Sequence, residues 1–423
     1  MSGNSPLKNY AWQIVKALIS IAVVITYSRY LGANGRGQMS IYLLYLQFIL
    51  MIGELIAGSA MANWLVKFKP GQILPWMAIY SVAVIVICGL VFSLFFSIKT
   101  QILLPLLLQG LGLALLNIQF NIYQSKGWIA RRNQLQIMLE LSKLFTLLVA
   151  IVLFPYNVVE GKVQMMLVVI AVVTMVFLCI SISKTQNIWV QAFQVERPPV
   201  GIFFEGLWAQ LGHIVLFLMN KFPLWLIARF LSNTDAGVFA NALLIADTIW
   251  IFSGSFGTVI HSRVLRSNRT EYHELLLRRY IDFSFLGTFI LCCAIVLIPN
   301  GIFVGIFGAN FEQLKSQAIL LIPGILFMGI SASVGNYLHA MDRFKTIFVN
   351  HIIAFLAILG IYIWSYWTGF SIEKVALGMN IGYLILMLLH LKSTNWLFKK
   401  DFKLKFNILL IKRLFLIKVR HNR

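Results

Sequence analysis

Arg29-Tyr30-Leu31-Gly32-Ala33-Asn34-Gly35-Arg36-Gly37 decides the fold, because part of it returns. Two hundred residues later the chain reads Arg229-Phe230-Leu231, and Gly237 stands where Gly37 stood. Each copy closes one long apolar segment and opens the next. Two halves that each carry this hairpin predict a duplicated helix bundle, the plan by which many transporters place a cavity between two lobes. The glycines of 32–37 do not make a phosphate loop. They lack the Gly-Lys-Ser/Thr ending and sit between apolar segments, so they predict a turn.

Composition sets the class. Of the 423 residues, 60% are hydrophobic and 12% charged, and the mean hydropathy is +0.84. Charged residues make up about 25% of a soluble chain. A helix crosses the bilayer with roughly 20 apolar residues. Twelve such segments are predicted: 10–31, 38–66, 72–98, 101–124, 135–156, 163–183, 202–231, 236–262, 280–300, 314–340, 345–368 and 372–391. Their length excludes barrel strands, so the expected fold is an all-α integral membrane protein. The first apolar stretch is span-length with no small-residue cleavage site after it, so it reads as a permanent helix. Cys88, Cys179, Cys292 and Cys293 all lie within spans and lack metal-ligand spacing, as packing residues do.

The net charge of +21 follows topology. With the N-terminus in the cytoplasm, 25 of the 35 Lys and Arg fall in inner connections and 7 in outer ones. That bias places both termini inside and argues against nucleic acid. The polar segment 184–200 contains Pro198-Pro199, which stops a helix. It divides the chain into an N-terminal lobe (1–183), a connection (184–200), a C-terminal lobe (201–392) and a basic tail (393–423). Arg263, Arg266, Arg269, Arg278 and Arg279, together with ten bases from Lys392 onward, suit either an anionic inner leaflet or a plain orientation signal.

Ionisable groups inside spans are costly in hydrocarbon and are functional candidates by default. Glu140 and Lys143, three apart, are expected to pair. Glu205 and Asp282 lie near span ends and reach the interface. Gln47, Glu54 and Gly58 share a face, and the same 200-residue offset sets Asp247 against Gln47 and Gly254 against Glu54. A cavity shared by spans one, two, seven and eight would hold Lys16 and Lys221, with Arg29 and Arg229 at its outer mouth. Those four cations would attract an anionic headgroup such as a pyrophosphate. Glu54, Asp247 and His213 would balance charge or exchange protons with a gradient. Trp12, Asn117, Asn121, Trp208, Asn220 and Asn241 are the polar and aromatic candidates for sugar contact. No nucleotide motif, metal cluster or nucleophile elbow appears, so neither an enzyme nor a bound cofactor or metal is expected.

The hairpin at 29–37, its partner at 229–239 and the loop Ala340-Met341-Asp342-Arg343-Phe344-Lys345 resemble those of the polysaccharide-exporter branch of the multidrug/oligosaccharidyl-lipid/polysaccharide exporters. The resemblance implies a MATE-like, V-shaped pair of six-helix lobes with the cavity between spans one, two, seven and eight. It implies a Wzx-type flippase of the bacterial inner membrane. Its substrate would be an undecaprenyl-pyrophosphate-linked oligosaccharide, bound for O-antigen, capsule or exopolysaccharide. A proton or sodium gradient, a polysaccharide polymerase, a chain-length regulator and membrane lipids are the implied partners. The competing expectations are a drug/cation antiporter of the same fold, a peptidoglycan-precursor flippase, which is usually longer, and a membrane-embedded polymerase or glycosyltransferase, which would need a long outer loop.

Overall fold

The computed structural model describes residues 6–57, 61, 64–65, 68–96, 100–154, 158–192, 196, 207–264 and 270–394, and every regular element among them is helical. The first half holds α1 (Pro6–Ala57), α2 (Pro70–Phe96), α3 (Thr100–Ser125), α4 (Ile129–Leu153), α5 (Val159–Ser183) and the short α6 (Gln186–Ala192). The second holds α7 (Leu207–Phe230), α8 (Asn233–Val264), α9 (Thr270–Leu297), α10 (Asn300–Phe307), α11 (Leu314–Leu320), α12 (Ile322–Ala340), α13 (Phe344–Trp367) and α14 (Ile372–Ser393). Helices are what hydrocarbon demands, because they satisfy every backbone group internally.

Ten of the described helices are long and apolar enough to cross a membrane, or eleven when the pair bent by 54° at Leu321 counts as one span. The chain is therefore a multi-pass membrane protein. Twelve segments were expected, and the length of α1 accounts for one of the spans missing from this count. Ile14–Leu55 is a run of 42 residues, about 60 Å of helix against a hydrocarbon core of about 30 Å. It covers most of segment 10–31 and the first part of segment 38–66, parted at a single residue. Gly32 has φ 68° and ψ −179°, a backbone that side-chain-bearing residues avoid. The turn expected over 32–37 is thus narrowed to Gly32, and Ala33 to Gly37 already belong to the next helix. The second hairpin breaks at Ser232, whose Oγ accepts from the Asp235 N–H at 3.0 Å and caps α8. The connection 184–200 also differs from a plain polar linker, since Gln186–Ala192 is helical; Pro198 and Pro199 lie outside the described residues, as does the tail beyond 394.

Two large cores form. One is built from α1, α3, α4 and α5 around Tyr27, Met39, Leu147 and Met166. The other is built from α7 to α14 around Phe239, Phe311, Ile358 and Tyr383, and Ala33 of α1 is buried in it. The halves meet where α1 crosses α8. A Cβ on Gly37 would stand 1.8 Å from the Asn233 carbonyl oxygen, and a Cβ on Gly237 would stand 1.9 Å from that of Ala33. The two contacts are copies of each other at the 200-residue offset. Small residues let membrane helices approach to backbone contact. Each glycine turns a Cα–H toward the opposite carbonyl, a weak hydrogen bond.

Overpacking that crossing should push the halves apart at the hairpin end. Gly37→Ala and Gly237→Ala are each expected to cost the closed contact about 1–3 kcal/mol, a shift of about 5–150-fold. Spin labels on Val158→Cys and Thr368→Cys, in a background without the native cysteines, should report longer distances in both variants; unchanged distances would refute the role given to the crossing.

Candidate functional site

Beside the glycine crossing lies a buried cation that the sequence reading placed in an outer loop. Arg36 is 6% exposed. Its Nε donates to Asn241 Oδ1 at 2.9 Å, another NH bonds the Ser40 hydroxyl, and the guanidinium lies 5.0 Å from the centre of the Tyr27 ring. Ser28 and Asn241 exchange hydrogen bonds at 3.2 and 3.3 Å. Asn241, a sugar-contact candidate, is fully buried and bonded to both. Helical spacing could have drawn attention here, because Arg36 and Ser40 are four apart on the face that carries Gly37.

Lys16 is half-buried on α1. Its charged neighbours are Glu140, Arg132 and Lys143, all on α4. Lys143 pairs with Glu140 at 2.9 Å, the ion pair expected. Arg132 donates to Gln124 at 2.5 Å, and its Nε is buried without a partner. Three cations and one acid therefore gather within the N-terminal half, with an unfilled donor among them. Arg132 was counted only as a loop charge in the sequence.

Lys221 is placed elsewhere. On α7 its ammonium lies 2.7 Å from Asp247 Oδ2 of α8, both half-buried. Among the described contacts, Lys16 and Lys221 thus face different partners in different halves. Glu54 accepts from Asn117 Nδ2 at 2.6 Å; Gln47 is exposed, and the position of Gly254 has open space around it. Gly58 and Glu205 lie outside the described residues. At the hairpin end Arg29 is exposed and donates to the Gly305 carbonyl at 2.7 Å, while Arg229 is exposed. Among the described contacts neither meets a lysine. His213 is exposed, and its ring stacks on that of His339 with centroids 5.5 Å apart.

The remaining polar candidates are mostly engaged. Asn220 accepts from the Tyr383 hydroxyl at 2.5 Å, Asn121 contacts Met61 Sδ at 3.7 Å, and Trp208 packs on Phe348 under Lys345. Trp12 is half-buried. Arg263 and Arg279, expected in the connection between two spans, lie instead on α8 and α9 and line a pocket of about 120 Å³ with Tyr272 and Tyr280. Among the described residues no group of His, Cys, Asp and Glu is arranged to hold a metal.

No family model and no curated protein matches the sequence. Solved structures do match its fold. A multidrug-resistance MATE transporter of the MOP superfamily in an inward-facing conformation has a TM-score of 0.66 at 14% identity, covering 90% of this chain and 94% of its own. The lipid II flippase MurJ in an inward closed conformation has a TM-score of 0.66 at 14% identity, covering 92% and 87%. An outward-facing MATE transporter of the same superfamily has a TM-score of 0.60 at 14% identity, covering 93% and 96%. The fold is MATE-like, as expected, and the resemblance extends over nearly the whole chain.

The buried guanidinium should be sensitive to shape as well as charge. Arg36→Ala leaves Asn241 and Ser40 unpaired and is expected to destabilise the protein by about 1.5–3 kcal/mol. Arg36→Lys, which lacks the planar fork, should recover only part of this. Thermal unfolding in detergent reads both; an Arg36→Ala protein as stable as the wild type would refute the seam assignment.

Proposed function

We propose that the protein is a flippase that moves a pyrophosphate-linked lipid oligosaccharide across a bacterial inner membrane. The substrate class is the undecaprenyl-pyrophosphate-linked repeat unit used for O-antigen, capsule or exopolysaccharide. The observation that carries the reading is the excess of cations beside α4. Lys16, Arg132 and Lys143 outnumber Glu140, and the Arg132 Nε has no partner. Such a group attracts a doubly charged pyrophosphate diester far more than a cation. The fold it shares with a lipid II flippase supports the same class of cargo.

Transport follows from alternating access. The headgroup enters the space between the halves from the cytoplasm while the polyprenyl tail stays in lipid. Lys16 with its neighbours takes the pyrophosphate first. Lys221 is held ready by Asp247 and can be handed to the phosphate as the halves rock. Arg29 and Arg229 at the hairpin end receive the headgroup when that end opens. The Gly37–Gly237 crossing is the contact that must part. No covalent bond changes, and no cofactor is required. Glu54, Asp247 and His213 are the candidates for coupling to a gradient. The halves 1–183 and 201–392 act as the two lobes, joined through 184–200.

A drug/cation antiporter shares the fold equally well. The sign of the charge separates the two readings, because a cavity for cationic drugs needs an excess of acid where this chain gathers lysine and arginine.

Deletion in the native bacterium should abolish the surface polymer and leave lipid-linked repeat units on the cytoplasmic side. Losing one charge-assisted contact costs about 1.5–3 kcal/mol, or about 10–100-fold in apparent affinity for the headgroup. Lys16→Ala, Lys221→Ala and Arg132→Gln, each confirmed as inserted, are therefore expected to fail in rescue. Unchanged polymer with altered sensitivity to cationic dyes would favour the antiporter instead.

A further inference from the structure

Five of the chain's seven histidines converge at one end of the second half, from five different helices. His213 is on α7, His261 on α8, His339 on α12, His351 on α13 and His390 on α14. The rings of His213 and His339 stack at 5.5 Å and 11°. Those of His351 and His390 lie 5.6 Å apart at 53°. The set is mutually within electrostatic reach, and His261 joins it through His339. Burial is graded. His213 is exposed and His339 half-buried, whereas His351 and His390 are 5% and 2% exposed.

The hydrogen bonds leave a vacancy for a proton. His351 Nδ1 stands 2.8 Å from the Gly212 carbonyl, so it carries hydrogen and donates. Its Nε2 is then a bare lone pair in the neutral ring. His390 uses Nδ1 alone, against the Ser331 hydroxyl at 2.9 Å and carbonyl at 3.2 Å. Its Nε2 is buried with no partner. A buried imidazole nitrogen without a partner calls for one, and a proton is a partner that the ring accepts.

We propose that these imidazoles form one proton-binding site, loaded through His213 and shared with His339, His351 and His390, with His261 at its rim. Other charged groups face it from the neighbouring elements. Asp342 in the α12–α13 turn lies near His261. Arg343 donates to the Ser393 carbonyl at 3.0 Å, and Lys345 lies over Trp208. Arg263 of α8 and Arg278, Tyr280 and Asp282 of α9 stand at the same end, with Lys392 on α14. Among the described residues none forms an ion pair with His213, His339, His351 or His390. A first proton therefore has no fixed counter-charge, and a second at about 5.5 Å binds on the order of 100 times more weakly. The four rings titrate as a unit.

The site also touches the seam. Gln210, one turn before His213 on α7, donates to the Met51 carbonyl of α1 at 3.4 Å. Gly212, beside His213, is the residue that His351 holds. Charge gained by the cluster pushes α7 against the helices that flank it and so bears on the bond to α1. This link to transport rests on the flippase reading; the proton site does not.

The test uses the full chain in nanodiscs, labelled with ¹⁵N-histidine and titrated with acid, with no lipid substrate present. Single His→Gln variants assign the resonances. His213→Gln is the main variant because that side chain is exposed, and His339→Gln is the second. Expected is a shift of about one pH unit or more in the midpoints of the remaining cluster rings in either variant. Midpoints that stay put in both variants would overturn the proposal, as would His351 and His390 rings that never titrate while the helical circular dichroism is intact. In proteoliposomes that carry out lipid transport, His213→Gln should remove the response to a pH gradient. Coupled titration without any lipid transport would sink the proposed function and leave the proton site standing; an intact gradient response in His213→Gln would sink the link to the seam.

Discussion

The approach of Gly37 to Gly237 is the contact on which the arrangement depends. Two helices from opposite halves come close enough that each presents a Cα hydrogen to the other's carbonyl, Asn233 on one side and Ala33 on the other. Nothing larger than hydrogen fits either position. In a bilayer there is no hydrophobic force to hold helices together, so this close packing carries the association. Everything lateral to it follows: Ala33 enters the core of the opposite half, and Arg36 reaches Asn241. The same contact is also the one that a molecule opening at this end must give up. A joint made of backbone and small side chains is suited to both tasks, because parting it exposes little that water or lipid cannot accommodate.

Charge is distributed around this joint by a different rule. Arg36 is buried and bonded by neutral partners, which fixes it in place. Lys221 is neutralised by Asp247. Lys16, by contrast, sits among two further cations and a single acid. An ion pair that is already satisfied stabilises the resting protein, while an unbalanced group stores an attraction for something that arrives. On the reading proposed above, the cationic group on one half and the imidazole cluster on the other would divide two tasks, binding the cargo and sensing the proton.

Much of the fold could be read locally. Apolar length marked the helices, and the repeated Arg-aromatic-Leu motif marked where the two hairpins fall. Boundaries were less accessible. Gly32 alone breaks α1, and a cluster of three glycines in six residues hid which one mattered. The bend at Leu321 falls just before Pro323-Gly324, with Pro323 in the first turn of α12, a break signal that the single expected segment 314–340 ran across. The pair Glu140–Lys143 was legible because its partners share one helix face. Lys221–Asp247 was not, since a contact across helices depends on how each is rotated about its axis.

The sequence by itself determined that the chain is helical, lies in a membrane and is built twice over, because hydropathy and repetition are properties of neighbouring residues and of fixed offsets. Tertiary structure alone decided which polar and ionisable groups of different helices meet. Arg36 and Asn241 are 205 residues apart, and five histidines from five helices gather at one end. Hydropathy specifies that a helix crosses the bilayer but leaves its rotation and its neighbours free. Those are set by where small residues permit backbones to touch, and in this protein that is the crossing of Gly37 and Gly237.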